Sequence, residues 1–254
     1  MRRILIAVPC HNMVHAKFTR CLMELDKPAG TAYAQIEGTL IYNARNTIAQ
    51  SAVKEGFDYV LWIDSDMVFP SDTLKRLLED AEQGLDYVSA LCFSRKENSV
   101  PCIQSSLKWA VEDGNVKTSA DILLDYPIDE VFEIAGSGFA CVLTSAKILS
   151  EMVELYGAPF YPLMGMGEDT TFCFRAGQAG FKMYCDSRIK IGHIGEKIFD
   201  EQNYFRKVTH NAKTERLREL LRNTGEDETI CLNYSQVKML LDCIEEKEKD
   251  HERT

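Results

Sequence analysis

Two aspartates one residue apart, Asp64 and Asp66, close an apolar run, Val60-Leu61-Trp62-Ile63. Carboxylates placed where a parallel strand leaves its sheet face the crevice in which α/β folds bind ligands, and a pair of them can hold a hard divalent cation. A second acidic pair, Glu168-Asp169, follows Gly167 and opens a helical pattern with Phe172, Ala176 and Ala179 inward. Near the positive end of a helix, acidic residues serve as caps; within reach of a hydroxyl, one of them can act as a general base. His193, flanked by Gly192 and Gly195, offers an imidazole where small neighbours permit close approach. It reads either as a metal ligand or as a buried histidine bonded to backbone. Arg45 interrupts an otherwise small, apolar helix face. It suits a phosphate, a nucleobase, a carboxylate such as Asp64, or an ordinary surface ion pair. His11 and His15 have i, i+4 spacing but lie in a loop without the glutamate of a zinc motif, so zinc is set aside.

The elements that must position these residues are legible in outline. Residues 3–8 form a buried strand ending at Pro9, which places Pro9, His11 and Asn12 at a strand end. Helical spacing runs over 39–54, closed by Gly56, and leads into the strand at 58–63. Pro70-Ser71-Asp72 opens the next helix with Ser71 as its cap, Gly84 ends it, and residues 87–93 form another strand. This alternation predicts a parallel, doubly wound sheet over 3–93, with Trp62 walling a nucleotide pocket. Residues 100–135, around the turn Asp113-Gly114-Asn115, read as antiparallel hairpins that carry acceptor specificity. A short strand at 139–143, a helix at 145–155, the loop Pro159 to Pro162 and a strand end at 189–193 follow. Gly136-Ser137-Gly138 reads as a plain turn or as a loop whose glycines permit unusual backbone angles. The charged residues 200–254 read as helical.

Composition narrows the classes. The 254 residues are 45% hydrophobic, enough for a sizeable core, and the net charge of -10 disfavours a polyanion such as nucleic acid as partner. Nine scattered cysteines without a CxxC fit a reducing compartment. The apolar stretch before Pro9 is too short for a signal core or a membrane span, so a cytoplasmic protein with no transmembrane segment is expected.

The motif order Val-Pro-x-x-Asn, Ala-Arg-Asn, Trp-Ile-Asp-Ser-Asp, Gly-Glu-Asp and Phe-Cys-x-Arg, over about residues 3–195, resembles the GT-A fold glycosyltransferases, most closely family 2. The resemblance implies a Rossmann-like α/β fold with a mixed, mainly parallel sheet. A catalytic domain spans 1–198, split into a nucleotide-binding half (1–95) and an acceptor-binding half (96–198). A C-terminal helical extension follows at 199–254. It implies an inverting hexosyl transfer from a nucleoside diphosphate sugar to a hydroxyl of a glycan, protein or small-molecule acceptor. Asp64 and Asp66, with His193, would hold Mn²⁺ or Mg²⁺ on the donor diphosphate, Mn²⁺ being favoured if the imidazole ligates. Asp169, or Glu168 in its place, would be the base, with Pro9, His11, Asn12 and Arg45 around the nucleotide. The aspartate with which many family 2 members contact the nucleobase has only Glu37-Gly38 in its place. Two rivals stand beside this reading. Asp64-Ser65-Asp66-Met67-Val68 also resembles the nucleophile motif of haloacid dehalogenase-type phosphatases, although that motif belongs on a first strand. A non-catalytic sugar-nucleotide-binding module would keep the fold without turnover.

Overall fold

The computed structural model describes residues 2–95, 99–195, 198–202 and 204, and the expected C-terminal helical extension lies almost wholly outside them. In chain order the elements are β1 (Ile4–Pro9), α1 (Ala16–Glu24), β2 (Ala32–Ile36), α2 (Ile41–Glu55), β3 (Tyr59–Ile63), β4 (Met67–Val68), α3 (Thr73–Ala81) and β5 (Tyr87–Leu91). Then come β6 (Ile103–Glu112), β7 (Asn115–Ile122), β8 (Val131–Ile134), β9 (Gly136–Ser137), β10 (Cys141–Ser145), α4 (Ala146–Tyr156), α5 (Glu168–Gln178), β11 (Met183–Lys190), β12 (Gly192–Ile194) and β13 (Ile198–Phe199).

Seven strands form the central sheet in the order β2-β1-β3-β10-β5-β11-β8. The pairs β2–β1, β1–β3 and β5–β11 are parallel, while β10 runs antiparallel to both β3 and β5, and β8 antiparallel to β11. Five strands therefore point one way and two are reversed. The sheet expected from residues 3–93 is interrupted, because β10 inserts between β3 and β5. Its pairings join residues far apart in sequence, Val142 with Trp62 on one side and with Ser89 on the other, and leave no local periodicity to read. Two small sheets flank the large one, β13-β12-β4 and β7-β6-β9.

Both faces of the sheet are covered, as buried parallel strands require. Successive strand residues point to opposite faces. Leu61 and Ile63 of β3 join Ile4, Ile6 and Val8 under Phe18 and Cys21 of α1 and Leu74 and Leu77 of α3. Trp62 points the other way, into an aromatic cluster with Phe139 and Phe160, and Phe139 and Phe160 in turn pack on Phe172 of α5. Trp62 is fully buried and donates its indole N–H to Thr144 Oγ1 at 2.9 Å, so it is core and not the wall of a nucleotide pocket. Fully burying such rings stabilises by about 1.5–3 kcal/mol each, which makes this cluster a rigid floor.

Local signals explain several boundaries. α2 ends at Gly56, whose φ of 70° is the left-handed C-cap that glycine reaches without a Cβ penalty. Ser145 caps α4 by accepting from the Ile148 N–H. The N-cap position of α3 is Asp72, not the expected Ser71. The turn between β6 and β7 holds Asp113 and Gly114 at positive φ, as a tight hairpin demands. Residues 13–38, not assigned from the sequence, fold into α1 and the edge strand β2, with His15 capping α1 through Nδ1.

Candidate active site

β3 delivers the Asp64-Ser65-Asp66 corner. The Asp64 N–H continues the ladder to the Ala140 carbonyl at 3.0 Å, and then the chain turns, Met67 N–H donating to the Asp64 carbonyl at 3.2 Å. The next two residues, β4, pair antiparallel with β12 in a register that sets Met67 opposite His193. This pairing brings the imidazole to the acidic corner from 127 residues away. Gly192 makes it possible, since a Cβ there would lie 2.7 Å from Ile198 Cγ2.

His193 Nε2 stands 3.3 Å from Asp66 Oδ2, and its Nδ1 is 3.0 Å from the Phe93 carbonyl. A carbonyl only accepts, so Nδ1 carries a proton and donates it. Arg95 reaches the same Asp66 oxygen, Nη1 to Oδ2, at 2.8 Å. Burial pushes the Asp66 carboxyl up, but the bond and charge of His193, with Arg95, outweigh it and hold the group below the ordinary carboxylate range. Burial likewise lowers His193, and Asp66 overcomes this to raise it.

Asp64 faces a different partner. Arg45, only 1% exposed in the middle of α2, donates from Nη2 to Asp64 Oδ1 at 2.8 Å and from Nη1 to Glu168 Oε1 at 2.6 Å. Its guanidinium carbon lies 5.4 Å from the Phe139 ring centroid, a cation–π contact above the aromatic floor. Burial raises the Asp64 carboxyl above its ordinary value; Arg45 opposes this, while Asp66 and Asp169 add to it. Arg45 thus ties the two acidic constellations together, and it is not among the described residues that line the cleft.

α5 carries the second constellation. Asp169 Oδ1 accepts from the Thr170 N–H at 2.7 Å, which satisfies an unpaired donor of the first turn. Its Oδ2 faces Gly138, where a Cβ would lie 3.6 Å away. Gly136, in β9, is packed closely enough that a Cβ would meet Cys173 Cβ at 2.8 Å and Leu107 Cδ1 at 2.9 Å. The loop before α5 is clamped from several sides. Asn46 Oδ1 accepts from Phe160 N–H at 2.8 Å, and Arg175 donates to the carbonyls of Ala158 and Pro159. From the long hairpin, Trp109 Nε1 and Thr118 Oγ1 donate to the Met164 and Gly165 carbonyls. The Asn of Ala-Arg-Asn and the Arg of Phe-Cys-x-Arg therefore act on the loop's backbone.

A cleft of about 340 Å³ opens at the strand ends, lined by Pro9, His11, Asp64, Asp66, Arg95 and His193 among others. Asn12 is exposed and is not among its described lining residues. Arg95 was not singled out from the sequence. Its signal was its place two residues past the expected strand at 87–93, at the same sheet edge as Asp64.

The family model described as glycosyl transferase family 2 matches residues 33–132. That stretch holds Arg45, Asp64, Asp66 and Arg95, while Glu168, Asp169 and His193 lie beyond it. Among solved structures, the chain is similar to "Crystal Structure of A197 from STIV", at 14% identity and a TM-score of 0.57, covering 77% of this chain and 86% of that one. No curated protein matches the chain. The resemblance read from the motifs agrees with that family model over residues 33–132, and the mixed, mainly parallel sheet is of the GT-A, Rossmann-like type. A family 2 region on such a sheet supports a glycosyltransferase. No described helix is long and apolar enough to cross a membrane.

Proposed function

We propose that this chain is a metal-dependent, inverting glycosyltransferase of hexosyl type that moves a sugar from a nucleoside diphosphate sugar to an acceptor hydroxyl. The observation that carries the metal is the His193 geometry. With Nδ1 donating to the Phe93 carbonyl, the Nε2 lone pair of the neutral ring would confront the Asp66 carboxylate at 3.3 Å. A second proton or a cation between them resolves that clash, and an imidazole whose other nitrogen is held by a carbonyl is the usual arrangement at metals. The donor set fits Mn²⁺, or Mg²⁺, with Asp66 and His193 as protein ligands. Among the described residues no group of three His, Cys, Asp or Glu side chains is gathered as a cage, and Asp64 is engaged by Arg45, so water and the donor's phosphate oxygens would complete the shell. When bound, the metal supplies positive charge opposite the leaving diphosphate.

The chain's own residues do the rest. The cleft between Pro9, His11 and the acidic corner takes the nucleoside diphosphate. Asp169 Oδ2 removes the proton of the acceptor hydroxyl as its oxygen bonds to the anomeric carbon and the bond from that carbon to the diphosphate breaks. Glu168 is held by Arg45 and acts as a support, so the base role falls to Asp169. Gly138 brings no side chain against Oδ2, and Asp169 is not among the described residues that line the cleft. The family 2 match and the arrival of Asp64 on the third strand in sequence, where Arg45 engages it, speak against the phosphatase alternative.

A screen of nucleoside diphosphate sugars by thermal shift, with and without Mn²⁺, tests the donor and the metal together, because a ligand at about 100 times its Kd adds about 2.7 kcal/mol. Asp169→Asn should retain the metal-dependent shift while sugar transfer falls about 10²-fold or more. Unchanged transfer would remove Asp169 from the base role. No shift with any donor, together with phosphomonoester hydrolysis, would overturn the reading.

A further inference from the structure

The proposed transfer gives Arg95 no role, yet its placement is specific. The segment 93–95 leaves β5 at the carboxyl edge of the sheet and touches both members of the Asp66–His193 pair. The Phe93 carbonyl orients the imidazole, and two residues later the Arg95 guanidinium lies on Asp66 Oδ2 at 2.8 Å. His193 Nε2 faces that same oxygen. A cation bound between Asp66 and His193 would therefore meet Arg95 at the oxygen both require, and two like charges at one oxygen repel strongly. Arg95 is free to yield, since its side chain is 52% exposed and held by this bond at the cleft wall. Arg45, the other guanidinium of the site, is buried with both terminal nitrogens on carboxylates.

Among the described residues that line the cleft, Arg95 is the one lysine or arginine. A nucleoside diphosphate gains negative charge as it leaves, more than a single dication neutralises, and a guanidinium fork matches its paired phosphate oxygens. We propose that Arg95 exchanges partners: it neutralises Asp66 while the metal is absent and, displaced by the metal, binds the diphosphate of the donor. This rests on the metal-dependent reading above and adds a leaving-group ligand to it.

The experiment uses the full chain, wild type against Arg95→Met and Arg95→Lys, with Mn²⁺ alone and then inorganic pyrophosphate at saturating Mn²⁺, each followed by titration calorimetry. Pyrophosphate removes any dependence on the nucleobase. Arg95→Met should bind Mn²⁺ up to about fivefold more tightly, the equivalent of losing an exposed ion pair that competes for the carboxylate. The same variant should bind pyrophosphate about tenfold or more weakly, the loss of a charged hydrogen-bond donor. Arg95→Lys, which keeps charge without the fork, should fall between. Weaker Mn²⁺ binding in Arg95→Met would mean that Arg95 orients Asp66 instead of competing for it, and would overturn the proposal. Unchanged affinity for either probe in that variant would overturn it while leaving the metal site standing. Absence of Mn²⁺ binding by the wild type would overturn the metal-dependent reading, and this inference with it.

Discussion

Replacing Arg45 with methionine removes one cation from two carboxylates and preserves most of the stem's volume. Removing one partner from a buried ion pair costs about 3–5 kcal/mol, because the remaining charge is left without compensation. Here the two carboxylates keep some access to water, with side chains 25% and 20% exposed against 2% for Arg45. That lowers the figure to about 2–4 kcal/mol, including loss of the cation–π contact with Phe139. With a denaturant slope of about 2 kcal/mol/M, the urea midpoint should fall by about 1–2 M. The pH dependence has a definite sign. The native Asp64 carboxyl already binds its proton more tightly than the unfolded chain does, and Arg45 opposes that rise. Without Arg45 the native carboxyl moves further up, so the variant's deficit is largest at neutral pH and shrinks as the pH falls and Asp64 is protonated. The double variant Arg45→Met/Glu168→Gln should recover part of the loss, since one stranded charge is gone. Equilibrium urea unfolding at pH 7 and pH 5, in metal-free buffer, measures all of this. A midpoint within about 0.2 M of wild type at unchanged slope would refute the view that Arg45 holds the two constellations together.

Gly136→Ala should destabilise by about 1–3 kcal/mol, as overpacking does, because the new methyl meets Cys173 and Leu107 at under 3 Å; a thermal midpoint equal to wild type would show that β9 shifts freely. A buried cluster away from the cleft gives a separate pH test. Burial, then the neighbouring Asp186, pushes the Asp80 carboxyl up to about 6 against the pull of Arg188. A raised carboxyl makes the native state bind the proton more tightly, so its contribution to stability is lost as pH rises from about 4 to about 6. Asp80→Asn keeps an oxygen for Arg188 and should abolish that fall, read as the difference between the two stability–pH profiles; parallel profiles would refute it.

How much of this was written in the sequence depends on whether the signal was local. The strand ending at Asp64, the Gly56 cap, the hairpin at Asp113-Gly114 and the helix opening at Glu168 all rest on neighbours, and they stand in the structure. α1 was passed over although Phe18, Cys21, Leu22 and Leu25 recur at helical spacing, while the half-exposed edge strand β2 offers few apolar residues to read. The insertion of β10 and the β4–β12 pairing that lifts His193 to Asp66 are long-range events, invisible to spacing. Residue roles divided similarly. Trp62 at the strand end looked like a pocket wall, but alternation along β3 sends it into the floor with Phe139 and Phe160. For Arg45 the sequence left a phosphate, a nucleobase and a carboxylate such as Asp64 open, and the buried guanidinium takes Asp64, with Glu168 as a second partner that spacing did not suggest.

The reversed strand β10 also has a consequence for how the chain acquires its structure. β5 pairs only with β10 and β11, both of which come later, and β3 has its second neighbour in β10. As the polypeptide emerges, residues 1–95 can form the ribbon β2-β1-β3 but leave β5 with no partner and β3 with an open, apolar edge. The half that carries Asp64 and Asp66 therefore cannot close until about fifty more residues are made, and long-range pairing of this kind is slow and exposed to aggregation. A cut near residue 95 would part β3 and β5 from β10, the strand they share, so the two strands take their places in the sheet in one cooperative step.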